Sequence, residues 1–307
     1  MIRYILQRVF TFVPVLFVIA TLVFFMARLA PGGPFDRERS VPPEALAAIN
    51  AYYNLDAPLF EQYIDYMKGL IQGDLGPSFK KPSRTVNEWI LMRFPVSLEL
   101  GIYALGVALL IGVVAGLIAS LRPNSWADYV PMSMAMIGIC VPTFVLGPLL
   151  VLVFGLWLGW FPVYGWEDPL DKVLPSLTLG ASYAAYIARL TRGGMLEVLA
   201  QDFIRTARAK GLSEGAVVLK HGLRGGIQPV ISFVGPAAAN MLSGSFVIET
   251  IFQIPGLGRE FVQAAFNRDY TMILGSVLFY AVLILIFNLL VDIAIALLDP
   301  RLRHEHA

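Results

Sequence analysis

This 307-residue chain has little charge, one cysteine and three histidines. Asp, Glu, Lys and Arg make up 15% of it, where a soluble protein carries about a quarter. With 57% hydrophobic residues and a mean hydropathy of +0.68, it is built for lipid rather than water. The lone Cys140 excludes an intramolecular disulfide and any multi-cysteine metal centre, and inside an apolar run it reads as a small core residue. His221, His304 and His306 stand at no metal-ligand spacing, so no metal site is expected. A net charge of +1 gives no reason to expect a nucleic-acid partner. There is no G-x-x-x-x-G-K-[ST] phosphate loop, no H-E-x-x-H and no pair of intramembrane aspartates. The chain is therefore not expected to be an enzyme, and any ATP hydrolysis must occur on another chain.

Apolar stretches long enough for about 30 Å of hydrocarbon fall at 9–27, 97–119, 130–156, 173–191, 227–251 and 273–298. The first exceeds a signal-peptide core, and Pro31 directly follows its only A-x-A-like site, so it is read as a retained helix. The pattern predicts an all-α polytopic membrane protein with six transmembrane helices. Basic residues place the sides. Arg3, Arg8, Arg122, Arg189, Arg192, Arg205, Arg208, Lys210, Lys220, Arg224, Arg301 and Arg303 gather on one side, against Lys172, Arg259 and Arg268 in the short loops of the other. Both termini are expected to be cytoplasmic.

Three regions follow: the N-terminus with the first helix (1–27), an extracytoplasmic segment (28–93), and a five-helix core (94–307). The 28–93 segment is not a plain loop. Pro42-Pro43-Glu44 resembles a helix start, and Leu59, Phe60, Tyr63, Met67, Leu70 and Ile71 recur at helical spacing. Gly73-Asp74-Leu75-Gly76-Pro77 signals a turn, and Thr85-Val86-Asn87-Glu88 a capping box opening a short helix ahead of the second span.

The stretch 202–224, DFIRTARAKGLSEGAVVLKHGLR, is basic and helix-prone yet lies between two apolar runs. A helix over 202–210 should stop at Gly211 in a left-handed conformation, and Ser213 should cap a second helix from about Glu214. Arg205 and Arg208 share a face. Ile204, Ala207 and Leu212 offer apolar contacts, and the small residues Thr206, Ala207, Ala209 and Gly211 allow a partner to approach closely. A basic cytosolic loop obeying the positive-inside rule is the alternative reading.

This stretch resembles the cytoplasmic loop of ABC-importer permeases. That family's general pattern is Glu-Ala-Ala, three residues, Gly, nine residues, then Ile-x-Leu-Pro. Counted from Gly211, only Ala207, Gly211 and Leu223 match it, whereas RTARAKGL (205–212) and KHGLR (220–224) resemble the peptide-transporter version. RLAPGGPF (28–35), GDLGPSF (73–79), FPVSLELG (94–101), IARLTRGGMLEVL (187–199), GSFVIETIFQIPGLG (244–258), NRDY (267–270) and LLDPRLR (297–303) are also similar to oligopeptide permease segments. The resemblance covers essentially the whole chain, and is to the first of two permease subunits of a bacterial oligopeptide importer.

What it implies is a type I ABC-importer permease fold in the bacterial cytoplasmic membrane. The chain would pair with a second, homologous permease, two ABC ATPase subunits and an extracytoplasmic peptide-binding protein. ATP and Mg would be held on the ATPases, with no cofactor here. Ile204, Arg205, Thr206, Ala207, Arg208, Gly211, Leu212 and Ser213 would couple to an ATPase subunit.

The fifth span carries Gly235 to Asn240 and Ser243 to Ser245, a poor surface for lipid, so Asn240 and Ser243 are pathway candidates. Tyr183 and Tyr186 can line a passage for peptides or serve packing alone. Gly112 and Gly116 form a G-x-x-x-G for close helix packing. Pro142, Pro148 and Pro236 are expected to kink their helices. Glu99 and Glu249 are expected near the outer interface, and Trp157, Trp160, Phe161, Tyr164 and Trp166 read as an aromatic belt. The competing function, an ion-coupled secondary transporter or channel, needs an intramembrane proton or ion site, and only isolated carboxylates are visible.

Overall fold

The computed structural model describes residues 2–29 and 54–298. The expected helix start at 42–44 lies outside them, as does most of 28–35 and of 297–303. Among the described residues the chain is helical, with no β-strand and a single isolated bridge between Pro77 and Thr85. The described residues within 1–95 and 256–285 form one compact unit, and those within 96–255 and 286–307 a second.

In the first unit, helix α1 (Ile2–Leu29) carries no charge between Arg8 and Arg28. Phe24, 1% exposed, lies 5.4 Å from the rings of both Tyr63 and Tyr66 on α2 (Leu59–Ile71). The hydroxyls of Thr21 and Tyr63 share a hydrogen bond of 2.8 Å. The turn after α2 is built as its sequence indicates, with Gly73 and Gly76 at φ +74° and +79°. The capping box is also present: Thr85 N–H donates to Glu88 Oε2 (3.2 Å) and Glu88 N–H to Thr85 Oγ1 (3.3 Å). It opens no separate short helix, however. Helix α3 runs unbroken over Val86–Leu121, through Pro95, a residue that removes one helical hydrogen bond without ending the helix. Val86 and Ile90 pack with Leu257, Ala264 and Met272 of the segment 257–272.

In the second unit the expected kink near Pro142 is a break. Helix α4 (Trp126–Cys140) and α5 (Thr143–Leu150, continuing as a π-helical turn over Val151–Trp157) are bent by 111°. Val141 between them is extended, at φ −91° and ψ 116°. The ring of a proline disfavours helical geometry in the residue before it, so Val141-Pro142 ends one helix and starts the next.

Helix α6 (Val173–Leu199) is the centre of this unit and buries thirteen residues. Glycines let its neighbours approach its backbone. A Cβ on Gly112, Gly116 or Gly138 would lie 2.6, 2.4 or 2.6 Å from the carbonyl oxygens of Ala184, Ala188 and Ala181. The segment 202–226 follows, then α7 (Gln228–Gly244) and α8 (Phe246–Ile251). The last helix is α9 (Tyr270–Leu298).

Among the described residues four helices are long and apolar enough to cross a membrane, or five if the bent pair α4–α5 crosses as one. The fourth expected stretch, 173–191, does form a helix, but its Ser, Thr, Tyr and Arg residues leave it outside that set.

Candidate functional site

The segment after α6 folds as helix, turn, helix. Asp202–Ala209 is helical, and Gly211 at φ +78° ends it. Gly211 N–H donates to Arg208 O (2.9 Å) and Leu212 N–H to Ala207 O (3.4 Å), the paired bonds of a glycine-terminated helix. Ser213 Oγ then accepts from Ala216 N (3.4 Å), capping the next turn. The return arm runs through Glu214–Ala216, a π-helical stretch Val217–Gly222, and Leu223–Gly226. Arg208 clasps Glu214 through two hydrogen bonds of 2.8 and 3.2 Å, pinning one arm to the other. Arg205 reaches only Asp202, at 3.4 Å, in full solvent exposure.

One expectation about this segment is corrected. Ile204 and Ala207 do not present apolar contacts outward; they are 0% and 7% exposed and pack on Val217 and Leu199 of the same chain. An amphipathic eight-residue helix beside its own return arm buries its apolar side there first. The exposed side chains include Phe203, Arg205, Thr206, Arg208, Lys210 and Leu212.

The return arm lies against the last turns of α6 as closely as backbone allows. A Cβ on Gly194 would sit 2.3 Å from Gly226 O, and one on Gly222 would meet Met195 and Leu199 at 3.1 and 3.2 Å.

Tyr183 packs against the apolar core, while Tyr186 is 44% exposed with its ring 5.9 Å from Phe233 and the Arg189 guanidinium 5.8 Å away. On α7, Ser232, Pro236 and Asn240 are exposed and Ser243 half-buried, a stripe of small and polar groups at helical spacing. Ser243 Oγ donates to Asn240 O at 3.3 Å.

Two of the ion pairs that the sequence did not indicate flank α6. At the start of α6, Lys172 Nζ donates to Glu99 Oε1 (2.5 Å), and Trp166 Nε1 donates to Glu99 Oε2 (2.9 Å). Glu99 holds the Lys172 ammonium above its ordinary pKa. Trp166 is thus buried in this cluster, apart from the exposed belt of Trp157, Trp160 and Tyr164. Towards the other end, Arg192 forms a fork on Asp128, Nε to Oδ1 and Nη2 to Oδ2, both 2.7 Å. Lys172 and Arg192 are twenty residues apart, about 30 Å of helix at 1.5 Å per residue. The available signal was a basic residue near each end of the 173–191 stretch; the partners on α3 and α4 depend on the fold. Glu249 is fully buried within the chain, its Oε1 accepting from Ser245 Oγ at 2.7 Å.

Among the described residues no three His, Cys, Asp or Glu side chains are grouped to hold a metal ion.

Comparison with known proteins gives a consistent result. The chain is 46% identical over 306 residues to the oligopeptide transport system permease protein OppB of Haemophilus influenzae, covering 99% of this chain and 100% of that one. It is 47% identical to the protein of the same name from Salmonella typhimurium, with the same coverage. To the dipeptide transport system permease protein DppB of Bacillus subtilis it is 46% identical, covering 99% and 98%. Among solved structures, the crystal structure of an amino acid ABC transporter with histidines matches 67% of this chain and 92% of its own, with a TM-score of 0.52 and 19% identity, a likeness of fold. The model of the binding-protein-dependent transport system inner membrane component matches residues 109–304, and that of its N-terminal region residues 1–101. With apolar helices able to cross a membrane four or five times, the chain is a multi-pass membrane protein and belongs to the family of binding-protein-dependent transport system inner membrane components.

Proposed function

We propose that this chain is the permease subunit of an ATP-driven importer and forms half of the transmembrane pathway for oligopeptides. The observation that carries the reading is near-complete coverage at 46–47% identity by two oligopeptide transport system permeases. In this reading a second, homologous permease supplies the other half of the pathway. Two ATPase subunits hold ATP and Mg, and an extracytoplasmic binding protein delivers peptide. No observation favours the ion-coupled alternative.

The segment 202–224 faces the cytoplasm with both termini, a placement supported by its basic residues. Ile204 and Ala207 hold its first helix to the body of the chain, leaving Phe203, Arg205, Thr206 and Leu212 for the groove of an ATPase subunit. A helix packed on α6 is a rigid element, so movement of the ATPase pair moves the permease rather than bending a loop. ATP draws the ATPases together and turns the pathway outward to accept peptide; hydrolysis turns it back. Both sites must bias the same two states for this to work. The exposed Tyr186 and the stripe Ser232, Pro236, Asn240 and Ser243 suit the pathway or the facing permease, because lipid offers such groups no partner.

The test is affinity purification of the tagged chain from native membranes, then ATPase assay with and without peptide-loaded binding protein. Co-purifying permease and ATPases with stimulated hydrolysis are expected, and a lone chain that moves peptide in liposomes would overturn the reading. Gly211→Trp sharpens it. A Cβ at Gly211 meets nothing of this chain within 4 Å, so steric loss of ATPase association by this variant reports the partner's surface. Its positive φ adds a strain that Gly211→Ala measures separately.

A further inference from the structure

The fork between Arg192 and Asp128 joins two bodies within the second unit. On one side stands the coupling body: the last turns of α6, the helix Asp202–Ala209 and the return arm. These parts are held by the buried contacts of Ile204 and Ala207 with Leu199 and Val217, and by the close approach of Gly194 to Gly226. On the other side stands α4, whose first turn carries Asp128 and which leads into the 111° bend to α5. Asp128 is 4% exposed at its side chain and Arg192 30%. The Asp128 carboxylate also accepts Asn124 N–H at 3.0 Å, so it is locked to the turn between α3 and α4. A two-bonded guanidinium–carboxylate pair fixes orientation as well as distance, which a single lysine ammonium does not. Arg192 lies ten residues before Asp202, on the same uninterrupted helix that ends at Leu199.

We infer that the Arg192–Asp128 fork is the positioning joint through which displacement of the 202–226 segment is passed to α4 and its bent continuation α5. The inference rests on the proposed importer function. It assigns Arg192 and Asp128 no contact with peptide or nucleotide: they act through the helices they join. The other contacts of α4 with α6 include the close approach of Gly138 to the Ala181 carbonyl oxygen and a long contact from Arg189 Nη1 to Met136 Sδ (3.8 Å), and neither fixes orientation as a two-bonded pair does.

The experiment uses the intact importer, purified with its co-purifying subunits and reconstituted in liposomes with the binding protein, and radiolabelled trialanine as the probe. Arg192→Lys keeps the charge and loses the fork. Peptide imported per ATP hydrolysed is expected to fall about fivefold or more, in the range of allosteric coupling factors. A second readout places spin labels on Lys210→Cys and on Cys140, which is exposed at the end of α4 and not the core residue that its apolar surroundings in sequence suggest. With the fork intact the label distance should stay constant between ATP-bound and nucleotide-free states; in Arg192→Lys it should change. An import-to-hydrolysis ratio equal to wild type, or a label distance that stays fixed in the variant, overturns the inference even if the variant melts at lower temperature. A wild-type complex that imports no peptide overturns the importer reading itself, a result distinct from an unchanged ratio in a wild type that does import.

Discussion

Ser78 Oγ donates a hydrogen bond to Oδ2 of Asp269, joining positions 191 residues apart in the chain. Asp269 is 3% exposed and also accepts from the N–H groups of Phe79 (3.2 Å), Lys80 (3.4 Å) and Met272 (3.2 Å), and from Thr271 Oγ1 (3.0 Å). One carboxylate therefore caps α9 and ties down the turn after Gly76. The sequence blocks GDLGPSF and NRDY meet at this group.

Replacing Asp269 with Ala leaves several donors buried without an acceptor. Each costs about 1–3 kcal/mol when stranded, so Asp269→Ala should lower unfolding stability by about 3 kcal/mol or more. Ser78→Ala removes one donor to the carboxylate and leaves only Lys81 N–H, which Ser78 Oγ accepts at 2.9 Å, without its partner, so it should cost less, about 1–2 kcal/mol. Thermal unfolding of the detergent-solubilised protein measures both. Equal effects of the two changes would contradict the role given to the carboxylate.

The Glu99–Lys172 pair predicts a pH dependence of known sign. Lys172 is bound by Glu99 in the folded state, and its ammonium is held above the ordinary 10.5. The folded protein thus retains this proton more tightly than the unfolded chain. The contribution is complete below that ordinary value and is lost as pH rises through the folded one. With side chains 20% and 38% exposed the pair is partly screened, and its coupling should be below about 1 kcal/mol. A double-mutant cycle with Glu99→Gln and Lys172→Met should detect it near neutral pH and find it gone in strong alkali. Coupling that persisted there would assign the contact to packing.

Gly116→Ala tests the close approach of α3 to α6. The added Cβ would stand 2.4 Å from Ala188 O and 2.6 Å from Thr191 Cβ, so the helices must separate. Overpacking of this kind costs about 1–3 kcal/mol. Gly106→Ala, at an open position on the same helix, is the control and should be neutral or slightly stabilising. Melting temperatures of the two variants decide the matter.

Features governed by a few neighbouring residues were legible before the fold was known. The capping box at Thr85–Glu88, the left-handed Gly211 and the cap by Ser213 each depend on local geometry, and each formed. The all-α class followed from composition, and the family from blocks spread along the chain. What needed the third dimension was missed. Ile204 and Ala207 have the pattern of an outward contact face until the return arm supplies Val217 to cover them. Nothing local to Glu249 shows that its carboxylate is enclosed by its own chain and paired with Ser245. Pro142 was a visible breaker, but how far the chain turns there depends on what α4 and α5 pack against. Asp128 and Arg192 are 64 residues apart, and no local pattern pairs them.

The three glycines facing α6 have a genetic consequence. Gly138, Gly112 and Gly116 abut the carbonyl oxygens of Ala181, Ala184 and Ala188, which lie along one stripe of the helix. A carbonyl oxygen is present whatever the side chain. A larger residue at any of the three glycines therefore has no second-site suppressor at the facing position on α6, because no substitution there makes room. Reversion must come at the glycine itself, or from changes elsewhere that let a whole helix shift.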